Sequence, residues 1–410
     1  MAPSKAVMFF TGLFFFFEFL RPQDMYSFIA PLKIPLISGI VLIFLWLNQG
    51  KRYGWKDRRI RLIIYFTVFC AVSILWSNNQ YWVWLSFQDM AITLLGGILP
   101  LVAFYAAKNR FRNFLVFYIF LHCILAAWAF AHKGTGPGGS IGDENDLALV
   151  LNAAIPIAFM GRHALSGRVI GPKLLVIAAA ILGFGVIATE SRGGFVGLAI
   201  ALCGIIMIGK HRIRNFLILG VLAAITYQFL PAEYVGDVKS ISDPNDITRV
   251  ERIYSWQLAW KMFLANPILG VSAGNYAWSV ADYEVNQGID SPIKRSLAGR
   301  AAHSLYFTLI AETGLVGTTI YFLLIFRIIA TLWKCIRWQP LSPALPGKFI
   351  SDLAAAILTS LLSYLACASF ITVLYYPHFW YLCAFAVVLD EIRRKMETQD
   401  KPSLEITTSP

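Results

Sequence analysis

Residues 108–131 read KNRFRNFLVFYIFLHCILAAWAFA. Three basic residues lie within the first five positions, and no Lys, Arg, Asp or Glu follows them to the end of the stretch. A bilayer core about 30 Å thick requires roughly 20 apolar residues in a helix. The stretch therefore predicts a transmembrane helix with a basic anchor at one end.

The rest of the chain repeats this pattern of apolar runs and short basic clusters. Of its 410 residues, 58% are hydrophobic and 14% are charged, which excludes an ordinary soluble protein and favours one integral membrane domain over residues 1–410. The formal net charge of +12 does not indicate nucleic-acid binding, because the basic residues fall between apolar runs as topology signals do. We expect an all-α polytopic membrane protein with about 12 transmembrane helices, over residues of about 6–20, 33–48, 60–76, 85–107, 111–131, 145–160, 173–189, 194–208, 213–230, 303–333, 351–373 and 377–392.

The loops between these runs predict the topology. Every second loop is basic, as in KRYGWKDRRIR (51–61) and GKHRIR (209–214), while short intervening loops such as SNNQYW (77–82) lack Lys and Arg. Because cytoplasmic loops carry the excess of basic residues, both termini are predicted to be cytoplasmic. The one long loop, residues 231–302 between predicted spans nine and ten, then lies on the outer side.

The long loop contains a predicted surface helix. Thr248 and Glu251 match a capping box, and Asn266-Pro267 predicts a helix end near Ala265. Four apolar residues at helical spacing form one face, which favours a helix lying in the membrane surface. That face consists of Ile253, Trp256, Trp260 and Phe263.

Two arginines of the same helix predict an anion site. Arg249 and Arg252 are three residues apart near its N-terminus, where backbone N–H groups and paired guanidinium groups together favour a phosphate. The alternative is that both are solvated and pair with Glu251 or Asp246, and their spacing fits both interpretations equally. Arg300 adds a further basic residue where the loop returns to the membrane.

A short outer turn, ATESRGGFVGLAI (188–200), contains Arg192 on the side where it cannot be a cytoplasmic anchor. It could pair with Glu190 or extend to lipid headgroups, but a charge at this depth usually has a specific partner, so we favour a ligand phosphate. The glycines of this turn favour close helix packing over ligand approach. They are Gly193, Gly194 and Gly197.

The stretch AHSLYFTLIAETGLVG (302–317) places His303 at the outer mouth of a predicted span. His378 is the one other histidine that we expect near this surface. Either the span begins at His303 and Glu312 is intramembrane, or Gly314 marks a break and the span covers 315–333. In both cases we expect Glu312 to be a structural hydrogen-bonding residue.

Four segments together carry a family resemblance. In order along the chain, they resemble the O-antigen ligase and polymerase superfamily of bacterial envelope glycan assembly, most closely an O-antigen ligase, over residues of about 140–325. Members often have Pro-His-Asn where this chain has Ala302-His303-Ser304. Either Ser304 performs the role of that asparagine or no residue does. The segments are DENDLALVLNAAIPIAF (143–159), SRGGFVGL (191–198), the arginine- and tryptophan-containing region 249–278, and AHSLYFTLIAETGLVG (302–317).

The resemblance implies an enzyme of the bacterial inner membrane that takes a glycan from undecaprenyl diphosphate at the periplasmic face. Ligases transfer it to a sugar hydroxyl of lipid A–core, polymerases to another lipid-linked repeat unit, and related oligosaccharyltransferases to protein. A lipid-linked glycan transporter is the alternative of another class. It predicts inverted repeats and charges at mid-depth, and the sequence has no clear sign of either.

The candidate residues suit such a transfer. A diphosphate leaving group needs charge neutralisation, which Arg192, Arg249, Arg252 and Arg300 can supply. A hydroxyl acceptor benefits from a general base, for which we select His303, because nearby arginines keep its imidazole neutral. We expect direct displacement with inversion, no cofactor and no metal, because we find no DxD motif and no carboxylate cluster at the outer face. The expected supporting residues are Ser191, Ser304, Tyr306 and Glu312.

Overall fold

The computed structural model describes residues 3–48, 55–167, 169–208, 247–285, 296–342 and 345–400, together with the short stretches 212–214, 216–217 and 220–221. Within this part of the chain every regular element is helical and no strand occurs, so the predicted all-α class is confirmed for it. A π-helical turn, Thr93–Ile98, connects α5 to α6. The helices are α1 (Lys5–Leu20), α2 (Pro22–Met25), α3 (Ile34–Asn48), α4 (Arg58–Val72), α5 (Gln80–Ile92), α6 (Leu99–Tyr105), α7 (Lys108–Ala131), α8 (Glu144–Met160), α9 (Arg162–Leu165), α10 (Pro172–Ala188), α11 (Arg192–Ile208), α12 (Ile247–Ala265), α13 (Tyr276–Val285), α14 (Leu305–Arg337), α15 (Gly347–Cys367) and α16 (Pro377–Asp400).

The prediction of about 12 spans is confirmed only in part. Among the described residues, 6 helical segments are long and apolar enough to cross a membrane. Four of the other helices are too short, since α1 and α8 have 16 and 17 residues and α10 and α11 are also short. Helix α16 is long enough, with 24 residues, but charged residues follow from Asp390 onward. Most of the predicted span 213–230 and residues 231–246 and 286–295 of the predicted outer loop lie outside the described residues. The six segments are Ala30–Asn48, Arg58–Trp76, Gln80–Tyr105, Lys108–Ala131, Leu305–Arg337 and Gly347–Phe370.

Helix α8 lies at the centre of the bundle. It is buried at every position from Asp146 to Phe159 and packs against α7, α10, α11 and α15. In contrast, α3 buries only four of its residues, as expected of an apolar helix that faces lipid. The first residues of α8 therefore stand on a rigid support.

Helix α14 is broken at Gly314, which is the second of the two predicted alternatives. Gly314 has a φ of 55°, a left-handed value that favours glycine. Beyond the break, the N–H of Leu315 donates to the carbonyl of Pro267 at 2.8 Å, and that of Val316 donates to Ile268 at 3.1 Å. Irregular backbone inside a membrane bundle requires such partners, so the chain after α12 is fixed against α14.

The boundaries of α12 confirm one prediction and correct another. The helix ends at Ala265 as predicted, before Asn266-Pro267. It already includes Ile247, however, so Thr248 lies inside the helix and is not its N-cap, which must have non-helical backbone angles.

Helix α12 has two apolar faces. The inward face contains Tyr254, Leu258 and Met262, all buried. On the predicted tryptophan-rich face, Trp260 is 48% and Ile253 is 41% exposed. This outer face has the composition expected for a membrane surface.

Candidate active site

The N-terminus of α8 is tied to the turn that contains Arg192. Asp143 is the N-cap, and its Oδ1 accepts hydrogen bonds from the backbone N–H of Asn145 at 2.8 Å and from that residue's Nδ2 at 2.7 Å. The Oγ of Ser191 donates to Asn145 Oδ1 at 2.6 Å. Two segments of the predicted site are thus joined through one asparagine side chain.

The turn itself is shaped by capping. Glu190 has a left-handed φ of 53°, and Ser191 Oγ then accepts a 2.9 Å hydrogen bond from the N–H of Gly194. Arg192 is half-buried at the first position of α11. Its backbone is therefore fixed on both sides, by the strained residue before it and the cap around it.

The glycines of this turn serve helix packing, as favoured from the sequence. A Cβ on Gly194 would lie 2.5 Å from the Cβ of Ala148, and one on Gly197 would lie 2.8 Å from Asn152 Nδ2. Asn152 Nδ2 also donates to the carbonyl of Gly194 at 2.7 Å. The contact between α8 and α11 leaves no room for larger residues.

His303 lies on an exposed bend immediately before α14, with a left-handed φ of 50°. For a residue other than glycine this conformation is disfavoured, and such strain concentrates at functional sites. The indole N–H of Trp256 donates to the carbonyl of Ala302 at 3.1 Å, and its ring stacks on Phe307 at 5.2 Å. His378, the other histidine expected near this surface, is buried with 2% exposure.

Ser304 forms the N-cap of α14. Its hydroxyl accepts from the N–H of Phe307 at 3.5 Å, and the residue is 2% exposed. Asparagine and serine are both preferred N-cap residues, so the replacement of asparagine by Ser304 retains this cap. The capping geometry accounts for the residue without a direct contact to the imidazole.

Charged side chains surround His303. Loss of solvent around the ring lowers the pKa of His303, as does the charge of Arg252, while Asp143 acts in the opposite direction. Arg300 lowers this pKa further, and Glu251 raises it again. Arg300 Nη1 and Glu251 Oε2 form an ion pair of 3.1 Å. The structure therefore brings together three of the residues selected from the sequence, His303, Arg252 and Arg300, and favours a neutral imidazole.

Asp143 and Glu251 were not selected as site residues, although the charges of both raise the pKa of His303. Asp143 belongs to a segment that carried the family resemblance, which is the one signal that could have indicated it. Asp143 and His303 are 160 positions apart in the chain, so the sequence alone does not indicate that the charge of one affects the pKa of the other. Asp246 lies outside the described residues.

The remaining selected residues support the site from its edges. Arg249 is exposed one turn before Arg252 on α12. The hydroxyl of Tyr306 donates to the carbonyl of Leu365 at 3.0 Å, which fixes α14 against α15. No hydrogen bond or distance places Tyr306 at the imidazole.

Glu312 has the hydrogen-bonding surroundings expected of a structural residue. It is buried, and its carboxylate accepts from the N–H groups of Gly274 and Tyr276, each at 2.9 Å. The Tyr375 hydroxyl donates to it at 2.6 Å. Because these partners come from the outer loop and from the segment before α16, Glu312 holds the loop in the bundle.

Residues 177–322 match a protein-family model described as O-antigen ligase. This region belongs to the O-antigen ligase and polymerase superfamily. It includes the turn at Arg192, helix α12 and His303, so the superfamily region contains most of the site described above. No curated protein matches the chain. The match to this region and the several apolar helices together support a multi-pass membrane protein with a glycosyltransferase-like region.

An apolar cleft of about 820 Å³ adjoins the site of this superfamily member. It lies between α12 and α14, next to the bend that contains His303. Its lining is aromatic and aliphatic, with Lys261 as the one charged residue. The lining residues are Ile253, Trp256, Gln257, Trp260, Lys261, Tyr306, Phe307, Ile310 and Phe322.

No group of three or more His, Cys, Asp or Glu side chains arranged to hold a metal ion occurs in the described part of the chain. The charged groups that affect the pKa of His303 are two arginines and two carboxylates. This arrangement can bind an anion through the guanidinium groups and accept a proton at the imidazole.

Proposed function

We propose that this protein is an O-antigen ligase. It transfers a glycan from undecaprenyl diphosphate to a sugar hydroxyl of lipid A–core, without a metal or other cofactor and with inversion at the anomeric carbon. The observation that carries the proposal is the left-handed backbone of His303 together with its lowered pKa, to which desolvation and the charges of Arg252 and Arg300 contribute. The superfamily match is compatible with this reaction and with polymerisation.

His303 acts as the general base. A ring nitrogen accepts the proton of the acceptor hydroxyl while the hydroxyl oxygen forms a bond to the anomeric carbon of the donor sugar. The bond from that carbon to the diphosphate oxygen breaks, and undecaprenyl diphosphate leaves with the electron pair. The imidazolium then returns its proton to the leaving diphosphate or to water.

The carboxylates stabilise the imidazolium as it forms. Asp143 and Glu251 favour the charged form of His303, whereas Arg252 and Arg300 favour the neutral form. The carboxylates and the arginines thus shift the pKa of His303 in opposite directions. The imidazole can therefore accept a proton and release it again. Asp143 is itself fixed, because it caps α8.

The arginines neutralise the leaving group. A diphosphate develops negative charge as it departs, and guanidinium groups bind phosphate oxygens in a bidentate manner without exchanging protons. The charges of Arg252 and Arg300 both lower the pKa of His303. Arg192 and Arg249 bind the diphosphate from the turn before α11 and from the preceding turn of α12.

The partners and location follow from the same proposal. The apolar cleft beside His303 and the exposed Trp260 suit lipid-linked substrates and membrane lipids. We place the protein in the bacterial inner membrane with both termini in the cytoplasm and His303 at the periplasmic face.

The test is glycan transfer by the purified protein in the presence of a chelator and without ATP. Labelled undecaprenyl diphosphate glycan is supplied with lipid A–core, without it, or with an acceptor protein. Labelled lipid A–core supports the ligase. Longer lipid-linked glycans identify a polymerase, labelled protein identifies an oligosaccharyltransferase, and movement across vesicles without bond formation identifies a transporter, each of which contradicts the ligase.

A further inference from the structure

A second cavity, of about 540 Å³, lies at the other end of the bundle. Helix α8 has 17 residues, so its far end is about 25 Å from Asp143 at 1.5 Å per residue. The cavity is enclosed there by the last turns of α8, α11 and α14, by α9, and by the beginning of α15. It shares no lining residue with the cleft beside His303.

The cavity has a cationic lining. Arg162, His163 and Lys348 line it together with a single acidic residue, Asp352. The guanidinium of Arg162 lies over the Phe159 ring, 4.7 Å from its centroid, and donates from Nη1 to the Phe159 carbonyl. A guanidinium has five N–H donors, so most of them stay available for another acceptor.

These cations differ from others at the same end of the bundle. Arg59 pairs with Asp390 at 2.9 Å, and Arg393 pairs with the same carboxylate at 2.9 Å. In the described part of the chain, Arg162 and Lys348 form no ion pair. A general excess of basic residues at one membrane face explains why Arg162 and Lys348 are positively charged residues. It does not explain why they are grouped around a cavity.

The electrostatic effects within the cavity agree with this grouping. Loss of solvent and the charges of Arg162 and Lys348 lower the pKa of His163. Burial, and then the charge of Arg214, lower the pKa of Arg162. Desolvation is the first cause of both shifts and neighbouring positive charge is the second, while Asp352 acts in the opposite direction on both groups. A bound anion would offset the contribution from the positive charges.

The remaining wall of the cavity is apolar. Ile208 of α11 and Ile336 of α14 line it, together with Trp338 and Leu345. Near the same helix ends, Met207 is 69% and Trp333 is 45% exposed. An anion held by the cations would thus lie next to apolar helix surface that continues toward lipid.

We propose that this cavity binds the phosphate headgroup of an anionic phospholipid, with Arg162 and Lys348 as its principal ligands and the apolar wall against the first part of its acyl chains. Basic pockets between helix ends bind such headgroups, and guanidinium groups bind phosphate in a bidentate manner. The apolar wall favours a lipid over a soluble phosphate compound.

The test uses the full-length protein with the substitutions Arg162→Gln and Lys348→Gln combined. The matched control combines Arg58→Gln and Arg61→Gln, which removes the same charge from two exposed arginines predicted to lie at the same face. Each protein is placed in nanodiscs of phosphatidylcholine alone or mixed with phosphatidylglycerol, and native mass spectrometry counts the lipids that stay bound. A parallel measurement titrates inorganic phosphate into delipidated protein.

We expect the wild type and the control to retain phosphatidylglycerol in preference to phosphatidylcholine. The cavity variant should retain at least roughly tenfold less phosphatidylglycerol than the wild type. Phosphate binding that is lost in the cavity variant, without any preference for phosphatidylglycerol, would overturn the lipid assignment and indicate a soluble phosphate ligand. Equal lipid retention by all three proteins would overturn the site. If the double variant does not purify as a monodisperse protein, Lys348→Gln alone decides the question. Because the readout is lipid binding, the result is independent of glycan transfer.

Discussion

Arg300 and Glu251 form an ion pair of 3.1 Å that joins the segment before α14 to helix α12. The side chain of Arg300 stays 44% exposed, and exposed pairs contribute only about 0–1 kcal/mol to stability. The importance of the pair is therefore positional. It holds a guanidinium beside His303 while leaving most of its N–H donors free for a ligand.

Substitution of Arg252 by Gln is expected to shift the pH dependence of transfer. The positive charge of Arg252 disfavours the imidazolium and lowers the pKa of His303, so its removal raises that pKa. The base is active above its pKa, and the acid limb of kcat/KM therefore moves to higher pH. The control is Lys133→Gln, which makes the same charge change at an exposed residue and leaves the acid limb in place. An unmoved limb in both variants would contradict the electrostatic role of Arg252.

Substitution of Asp143 by Asn is expected to move the limb in the other direction. Asp143 raises the pKa of His303, so its neutral isostere lowers that pKa and shifts the acid limb to lower pH. The imidazolium also loses a stabilising charge in the transition state, and kcat falls. Asparagine is as good an N-cap as aspartate, so thermal unfolding should change little. A lower kcat with an unmoved limb and a lower Tm would instead indicate a purely structural role.

Arg192 is expected to act on the donor. Replacement by Gln removes a charge-assisted contact to the diphosphate, for which a loss of roughly 100-fold or more in kcat/KM is typical. Lys133→Gln is the control, because Lys133 is exposed at the same predicted face. Equal activity of the Arg192 variant and the control would remove Arg192 from the site.

Glu312 is expected to govern stability more than the chemistry. In Glu312→Gln, the side-chain NH₂ group faces one of the N–H donors of Gly274 and Tyr276. A buried donor without a partner costs about 1–3 kcal/mol. Tyr375→Phe removes a single hydrogen bond to the same carboxylate and should cost about 1 kcal/mol. Thermal unfolding in detergent compares the two, and a Glu312→Gln protein as stable as the wild type would contradict this account.

Local features of the fold were predictable from the sequence. The end of α12 at Ala265 followed from the backbone restriction that Pro267 places on its neighbour. The start of α12 was not predicted correctly. A threonine with a glutamate three positions later also occurs inside helices, and Thr248 is such a case. The sequence did not decide whether the helix breaks at Gly314. The break depends on Pro267 and Ile268, whose carbonyl groups accept hydrogen bonds from the residues after it.

Individual candidate residues could be selected from the sequence by their chemistry alone. Contacts between segments that are distant in the chain could not be predicted. His303 and its arginines could be selected by charge and predicted side. The position of Asp143 depends on α8 packing against α11, which no spacing in the chain reveals. The number of spans stays a prediction beyond the six segments found among the described residues, and the apolar character of α8 reflects its burial among other helices.

The most direct test of the account is glycan transfer to lipid A–core by purified His303→Ala, compared with the wild type and with His132→Ala. His132 is exposed, and its ring stacks on Trp128 at 3.7 Å. Loss of a general base should reduce kcat by roughly 100- to 10,000-fold, with donor binding retained and His132→Ala unaffected. Full activity of His303→Ala would contradict the account.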